Sequence, residues 1–172
     1  MPIRHFYDHF LKGMSTKEVI GLNLSGQHEL GMTLILDNSE PVIRRRLVPD
    51  KWSMFEHYAH LVRYQHIFLQ RVDRILSRKD PAIERYSAET DPAFPEWLQM
   101  DREDLTQQLV EDRFGVLIQF RELPPAALKR KGIHPVYGPL SLLDWHEFFV
   151  LHEAHHLHAM WKLLMKSRGA GN

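Results

Sequence analysis

The sequence contains no cysteine, which excludes disulfide bonds, thiolate metal ligands and a cysteine nucleophile. This absence suits the reducing cytoplasm, where we expect the protein to act. Net charge is absent as well, because 22 lysines and arginines balance 22 aspartates and glutamates. Since nucleic-acid-binding proteins usually carry a clear basic excess, we expect no nucleic-acid partner.

Long apolar runs are also missing. The longest stretch without an Asp, Glu, Lys or Arg, residues 132–143, is shorter than the roughly 18 residues that a membrane-spanning helix requires. The first ten residues carry charges too early for the apolar core of a signal peptide. We therefore expect no membrane partner, and a single domain over residues 1–172 in which residues 1–14 form an N-terminal extension.

Four segments have the length of helices in a bundle, about 20 to 25 residues each, and prolines separate them. They cover about residues 16–37, 54–77, 102–123 and 142–166. The first two begin with the Ser-x-x-Glu spacing of a capping box, at Ser15 and Glu18 and at Ser53 and Glu56. The sequence therefore predicts an all-α fold, a four-helix bundle.

The connection between the second and third predicted helices, residues 78–101, is long enough to cross the bundle. These two helices can therefore run parallel to each other. Because a structureless loop of that length is uncommon in a compact domain, we expect a helical turn within it, near residues 82–86.

Histidine is unusually frequent, with twelve copies, five of them in the fourth predicted helix. His152 and His156 lie about 40° apart at the centre of that helix's apolar stripe, one turn from each other. Two hydrogen-bonded core histidines are the alternative, but burying both imidazoles without partners would cost a few kcal/mol. We therefore interpret the pair as metal ligands. His146 and His158, about 120° away, are expected to be exposed.

A polar strip follows the second predicted helix and includes His60, Tyr64 and Arg71. Such a strip is either a solvated face or the lining of an internal pocket, and His60 alone does not distinguish the two. His57 and His66 lie off this strip, so we expect them to be structural or exposed.

The run from His152 to His156 also matches HExxH, the zinc-metalloprotease signature with Glu153 as general base. Ala159 and Lys162 occupy the places where one protease class has Gly and His. No acidic residue follows Glu153, although the other class needs one. A di-iron bundle requires two Glu-x-x-His pairs where this chain has one. The metalloprotease and the di-iron bundle are therefore minor alternatives.

Three segments, in order along the chain, resemble one family. They are KWSMFEHYAHL, the ELPPAAL turn and GIHPVYGPLSLLDWHEFFVLHEAHHLHAM, and the resemblance covers roughly residues 42–164. They resemble the DinB-like (YfiT-like) superfamily of damage-inducible metalloproteins. The resemblance implies an up-down-down-up four-helix bundle with one divalent ion, zinc or nickel. By matching position, its ligands are His60, His152 and His156.

The resemblance also implies a choice of activities. The superfamily includes thiol S-transferases that use bacillithiol or mycothiol, a mycothiol-dependent maleylpyruvate isomerase, and hydrolases. His152 stands where the isomerase branch has a glutamate, which argues against that activity. We expect a metal-dependent thiol S-transferase or hydrolase acting on a small-molecule substrate, with any thiol supplied as a small cosubstrate. The alternative is a non-catalytic metal-binding stress-response protein.

Four further residues are candidates for substrate binding. Glu56 could orient a ligand, although its capping-box role is the stronger interpretation. Tyr64 and Arg71 could contact an anionic substrate, and exposed or packing roles explain them equally well. His134 could approach the pocket, although a role in its turn is favoured. No catalytic residue is predicted.

We also expect a homodimer that forms through a helix face. A net charge of zero offers little electrostatic barrier to self-association. Apolar residues such as Val150 and Leu157 lie outside the main stripe of the fourth predicted helix, where they could meet a second copy.

Overall fold

Residues 14–169 are described by a computed structural model of the chain, which contains four long helices. In chain order the helices and strands are α1 (Thr16–Leu36), α2 (Glu40–Ile43), α3 (Met54–Ser77), α4 (Phe94–Gln99), α5 (Arg102–Glu122), α6 (Pro125–Leu128), β1 (Lys131–His134), β2 (Gly138–Ser141) and α7 (Leu142–Gly169). Apart from residue 14, the predicted N-terminal extension lies outside the described residues.

Contacts between the long helices show their directions. Along α3 and α5 the partner numbers rise together, at Tyr58–Thr106, Gln65–Leu109 and Asp73–Gln119. Along α3 and α7 they run in opposite senses, at His57–His156 and Phe68–Phe149. Along α1 and α7 they rise together again, at Gln27–Val150 and Gly31–Leu157. Helices α1 and α7 therefore point one way and α3 and α5 the other, which confirms the up-down-down-up bundle.

The helix starts follow the predicted caps. Both capping boxes, Ser15 with Glu18 and Ser53 with Glu56, are formed in full. At the start of α7 the Ser141 hydroxyl accepts from the Asp144 backbone N–H, and the Asp144 carboxylate accepts from the Ser141 N–H. These bonds satisfy backbone donors that have no partner within the helix.

Helix α1 is continuous although it contains three glycines, each of which costs about 1 kcal/mol relative to alanine in a helix interior. Gly31 lies where α1 meets α3 and α7. A Cβ atom there would lie 3.1 Å from Leu157 Cδ2 and 3.4 Å from a ring carbon of Tyr58. The glycine therefore allows the close approach of the three helices.

The connection after α3 differs from the prediction. The helical turn expected near residues 82–86 is wrong, because this segment is extended and pairs with β1. Ile83 donates its N–H to the Ile133 carbonyl at 2.9 Å, and Ile133 donates to the Pro81 carbonyl at 2.8 Å. Helical structure appears only later, in the short turn Ala88–Thr90 and in α4. The antiparallel β1–β2 hairpin that supplies this pairing was not predicted either.

Two apolar clusters fill the bundle, one at each end, and a polar layer separates them. The first cluster includes Leu34, Leu61 and Met160, and the second includes Phe68, Phe120 and Trp145. The polar layer between them contains Gln27, Gln65, Arg113 and Glu153. It lies at the same level along α7 as the candidate metal ligands.

Three residues of α7 are more buried than predicted. His146 is fully buried between Phe68 and Phe120, so the expectation that it is exposed is wrong. Val150 and Leu157 are 8% and 3% exposed, because α7 packs on α1 as well as on α3. These two residues cannot form a dimer face, and the homodimer stays a prediction without that support.

No helix within residues 14–169 is both long and apolar enough to cross a membrane.

Candidate metal centre

His60 on α3 faces His152 and His156, which lie one turn apart on α7. The Nε2 atom of His152 is 3.2 Å from Nε2 of His60 and 3.2 Å from Nε2 of His156. Each ring thus offers one nitrogen that could bind a metal, and these three nitrogens all lie within 4.8 Å of one another. The antiparallel pairing of α3 and α7 thus brings together the three residues predicted as metal ligands.

The arrangement of the three nitrogens fits one metal ion. Ligands about 2.0–2.1 Å from a tetrahedral zinc ion lie about 3.3–3.4 Å from one another, close to the spacing seen. A ring nitrogen has one in-plane direction for either a proton or a lone pair. The Nε2 atom of His152 therefore cannot hydrogen-bond well to both neighbours at once, whereas one shared cation would satisfy all three.

Burial keeps these imidazoles uncharged. Burial first, and neighbouring histidines second, lower the pKa of His60 to about 4 and that of His152 to about 3. The pKa of His156 is also lowered, by burial first and then by His152 and His60. Since a metal binds the neutral imidazole, the three side chains are in the ligating form at neutral pH.

Aromatic rings enclose the three histidines. The ring centroid of Trp52 is 5.1 Å from that of His60, and Tyr86 stacks on His60 at 5.7 Å. The ring of Tyr64 lies 4.1 Å from that of His152. This apolar shell limits access of water and accounts for the desolvation of the imidazoles.

A fourth histidine, His57, contacts one of the three candidate ligands on the side away from the other two. His57 Nδ1 lies 2.9 Å from Nδ1 of His156, the nitrogen opposite the one that faces the other two ligands. A hydrogen bond at that position fixes the tautomer and the ring orientation of a metal-ligating histidine. Only a structural or exposed role was predicted for His57, because a single helical wheel does not show which residues of α3 meet α7.

Within the described residues, the other two candidate ligands lack such a partner. Nδ1 of His60 and Nδ1 of His152 are buried and have no hydrogen-bond partner within residues 14–169. In the described part of the chain, His156 is therefore the candidate ligand whose outer nitrogen has a side-chain partner, His57.

Comparison with known proteins places the chain in a family. Residues 33–160, well over half of the sequence, match the family model described as the DinB superfamily. The chain belongs to the DinB superfamily. Among solved structures it is similar to YfiT from Bacillus subtilis, described as a probable metal-dependent hydrolase with an unusual four-helix bundle topology. No curated protein matches the sequence.

The likeness to YfiT is one of fold. The two chains share 18% sequence identity with a TM-score of 0.78, and the match covers 90% of this chain and 87% of YfiT. The fold of this chain is thus shared with YfiT over almost the whole of both chains.

Glu153, the would-be general base of HExxH, does not face the three histidines in this DinB-superfamily chain. Its carboxylate pairs with the guanidinium of Arg113 and accepts a 2.9 Å hydrogen bond from Gln27 Nε2. Both charged side chains are buried. Because these contacts occupy both carboxylate oxygens, the HExxH match corresponds to a structural ion pair.

Glu56 has the capping role that the sequence favoured. Its carboxylate accepts from the Ser53 N–H at 2.8 Å and pairs with the guanidinium of Arg46. Burial by itself would raise the pKa of Glu56, but the bonds from Arg46 and Ser53 lower it overall. A role in substrate binding stays a prediction.

Tyr64 and Arg71 connect the histidines to the surface. Arg71 Nη1 donates to the Tyr64 hydroxyl at 2.7 Å, and Arg71 Nη2 donates to the Glu84 carbonyl at 3.0 Å. Tyr64 therefore contacts His152 with its ring and Arg71 with its hydroxyl.

His134 stabilises the hairpin turn, as the sequence favoured. Its Nδ1 accepts from the backbone N–H groups of Val136 and Tyr137, both at 3.1 Å. His134 is not one of the clustered ligands, and its role near a substrate stays a prediction.

Proposed function

We propose that this protein is a metal-dependent enzyme that activates a small-molecule thiol or a water molecule. In this proposal His60, His152 and His156 hold one divalent ion, zinc or nickel. The observation that supports it is the convergence of three Nε2 atoms at a spacing suited to one cation. The description of YfiT as a probable metal-dependent hydrolase gives further support.

The chemistry follows from the donor set. Three neutral imidazoles leave a divalent ion its full charge, so that it would acidify a thiol or water molecule bound beside them. His57 holds the ring of His156 in the ligating orientation. Trp52, Tyr64 and Tyr86 exclude bulk water, which strengthens electrostatic interactions inside the site.

The two branches of the proposal differ in the nucleophile. The chain has no cysteine, so a thiol nucleophile must come from a low-molecular-weight cosubstrate. A hydrolase would need only water. Both branches use the same three histidines, and the structure supports them equally.

A second candidate, a non-catalytic metal-binding stress-response protein, is favoured by one observation. His60 and His156 are only 5% and 9% exposed, and aromatic rings surround them. A site so enclosed suits a structural ion, because little open surface is left through which a substrate could reach it.

Metal analysis of the purified protein, followed by a turnover screen, tests the proposal. We expect about one zinc or nickel ion per chain. We also expect conjugation of a thiol to an electrophile such as monochlorobimane, or hydrolysis of an ester or amide panel, that depends on the metal. Metal without turnover on any panel would favour the non-catalytic candidate. Protein that takes up neither ion would contradict both.

A further inference from the structure

A pocket of about 210 Å³ lies beside the second half of α3, covered by the extended segment that pairs with β1. Its lining includes Ile67, Arg71, Arg74, Ile83, Arg85 and Tyr86. Apolar side chains form part of the wall, and its charged residues are three arginines and one glutamate, Glu84.

The positive charge of this pocket is poorly neutralised. The two hydrogen bonds of Arg71 go to uncharged groups, the Tyr64 hydroxyl and the Glu84 carbonyl. Arg74 Nη1 lies 3.7 Å from the Glu84 carboxylate, whose side chain is 87% exposed, so that this ion pair is weak. Arg74 Nε is buried and has no hydrogen-bond partner within the described residues. An unpaired buried N–H of a charged group is costly, so Arg74 lacks a full set of hydrogen-bond partners beside this pocket.

Two tyrosines connect the pocket to the histidines. Tyr86 lines the pocket and stacks on His60. Tyr64 packs its ring on His152 and accepts a hydrogen bond from Arg71. One layer of aromatic side chains thus separates the guanidinium groups from the candidate metal position.

We propose that this pocket binds the anionic group, a carboxylate or a phosphate, of a small organic acid whose reacting group lies at the histidine centre. Arginine suits this role because its planar donors match both anions in a bidentate arrangement. That the acid is a substrate rests on the proposed function, whereas binding of the anion to the pocket does not require a metal.

The first experiment measures anion binding by NMR of the arginine Nε–Hε groups in the full-length protein as purified. Inorganic phosphate and propionate are titrated separately, with chloride at equal ionic strength as the control anion. We expect saturable shifts at Arg71 and Arg74 with at least one of the two, and the tighter anion identifies the preferred group. Arg168, at the opposite end of the bundle, should not respond. Absence of saturable shifts with both anions would overturn the proposal.

The second experiment links the pocket to the metal centre in cobalt-loaded protein. The thiolate-to-cobalt absorption band reports the binding of 3-mercaptopropionate and of its neutral amide. We expect the acid to bind about tenfold more tightly than the amide, since one charge-assisted interaction is worth about 1.5 kcal/mol or more. This preference should disappear in Arg71→Gln and in Arg74→Gln, and persist in the matched control Arg168→Gln.

The two experiments separate the two proposals. If the wild type bound the acid and the amide equally tightly, the pocket assignment would be overturned even though cobalt binds. The same would follow if both arginine variants kept the wild-type preference for the acid. Protein that takes up no cobalt yet shows saturable shifts at Arg71 would contradict the proposed function and support the pocket as an anion site.

Discussion

The carboxylate of Glu153 pairs with the guanidinium of Arg113 in the polar layer of the bundle, and each side chain is only 3% exposed. Glu153 lies between the candidate ligands His152 and His156 on α7. The pair therefore ties α7 to α5 at the level of the candidate metal centre. Gln65 Oε1 accepts from Arg113 Nε at 2.8 Å, which adds α3 to the same network.

Removing one partner of this pair should destabilise the fold strongly. Arg113→Met leaves the carboxylate of Glu153 buried without its cation, and such a change costs about 3–5 kcal/mol. The measurement is the free energy of unfolding from urea denaturation. The double variant Arg113→Met/Glu153→Leu should recover most of the loss, because no buried charge remains. Equal stabilities of the wild type and Arg113→Met would show that the pair does not hold the bundle together.

Loss of a candidate ligand should abolish metal binding. His152→Ala removes one of three donors, so we expect the purified variant to hold far less metal than the wild type, as measured by elemental analysis. His158→Ala is the matched control, because His158 is exposed and its ring packs on Trp161. If His158→Ala lost the metal while His152→Ala kept it, the assignment of ligands on α7 would be wrong.

His57 should affect the metal affinity of the protein through its contact with His156. His57→Ala removes the hydrogen bond at 2.9 Å that orients the His156 ring, and such partners typically contribute 10–100-fold to metal affinity. Competition with a chromophoric chelator measures this affinity. His155→Ala is a suitable control, since His155 is exposed and its ring merely packs edge-on against His156. Unchanged affinity in His57→Ala would mean that the contact has no orienting role.

The long helices and two of the three candidate ligands were predictable because residues close to them in sequence indicate their structure. Met54–Ser77 is predicted to the residue, since a capping box begins it and Pro81 follows its end closely. His152 and His156 share one face because the helical period puts them there. His60 depended on the family resemblance as well, since its own helical face left two readings open.

The remaining features depend on contacts between segments far apart in sequence. The extended segment near Ile83 is held by β1, some fifty residues later, and nothing local to it signals a strand. His146 was misjudged because α7 is covered on several sides, so that its buried surface is wider than one stripe. His57 gains its role only from the approach of α7.

His146 should make the stability of the protein depend on pH. Its pKa is lowered from the usual 6.5 to about 4, because burial, with a smaller effect of Lys17, outweighs the opposing effect of the bond to the Leu142 carbonyl. Nδ1 lies 2.7 Å from that carbonyl and donates to it, and Nε2 is buried without a partner within residues 14–169. The folded state therefore takes up the proton less readily than the unfolded chain does.

Because the unfolded chain binds more protons between about pH 6.5 and pH 4, stability should fall as the pH falls through that window. The stability that comes from a neutral His146 is fully present above about pH 6.5 and is lost progressively towards pH 4. The total loss of stability has an upper limit of about 3 kcal/mol. Comparing His146→Leu with the wild type isolates this term, because the other histidines contribute equally to both. The free energy of unfolding is measured by urea denaturation of chelator-treated protein at pH 7.5, 6 and 5. As the pH decreases, this free energy should fall less in the variant than in the wild type. In His158→Ala, which leaves every buried imidazole in place, the difference from the wild type should stay constant. A constant difference for His146→Leu would instead show that His146 is protonated without cost in the folded state, which its position between Phe68 and Phe120 argues against.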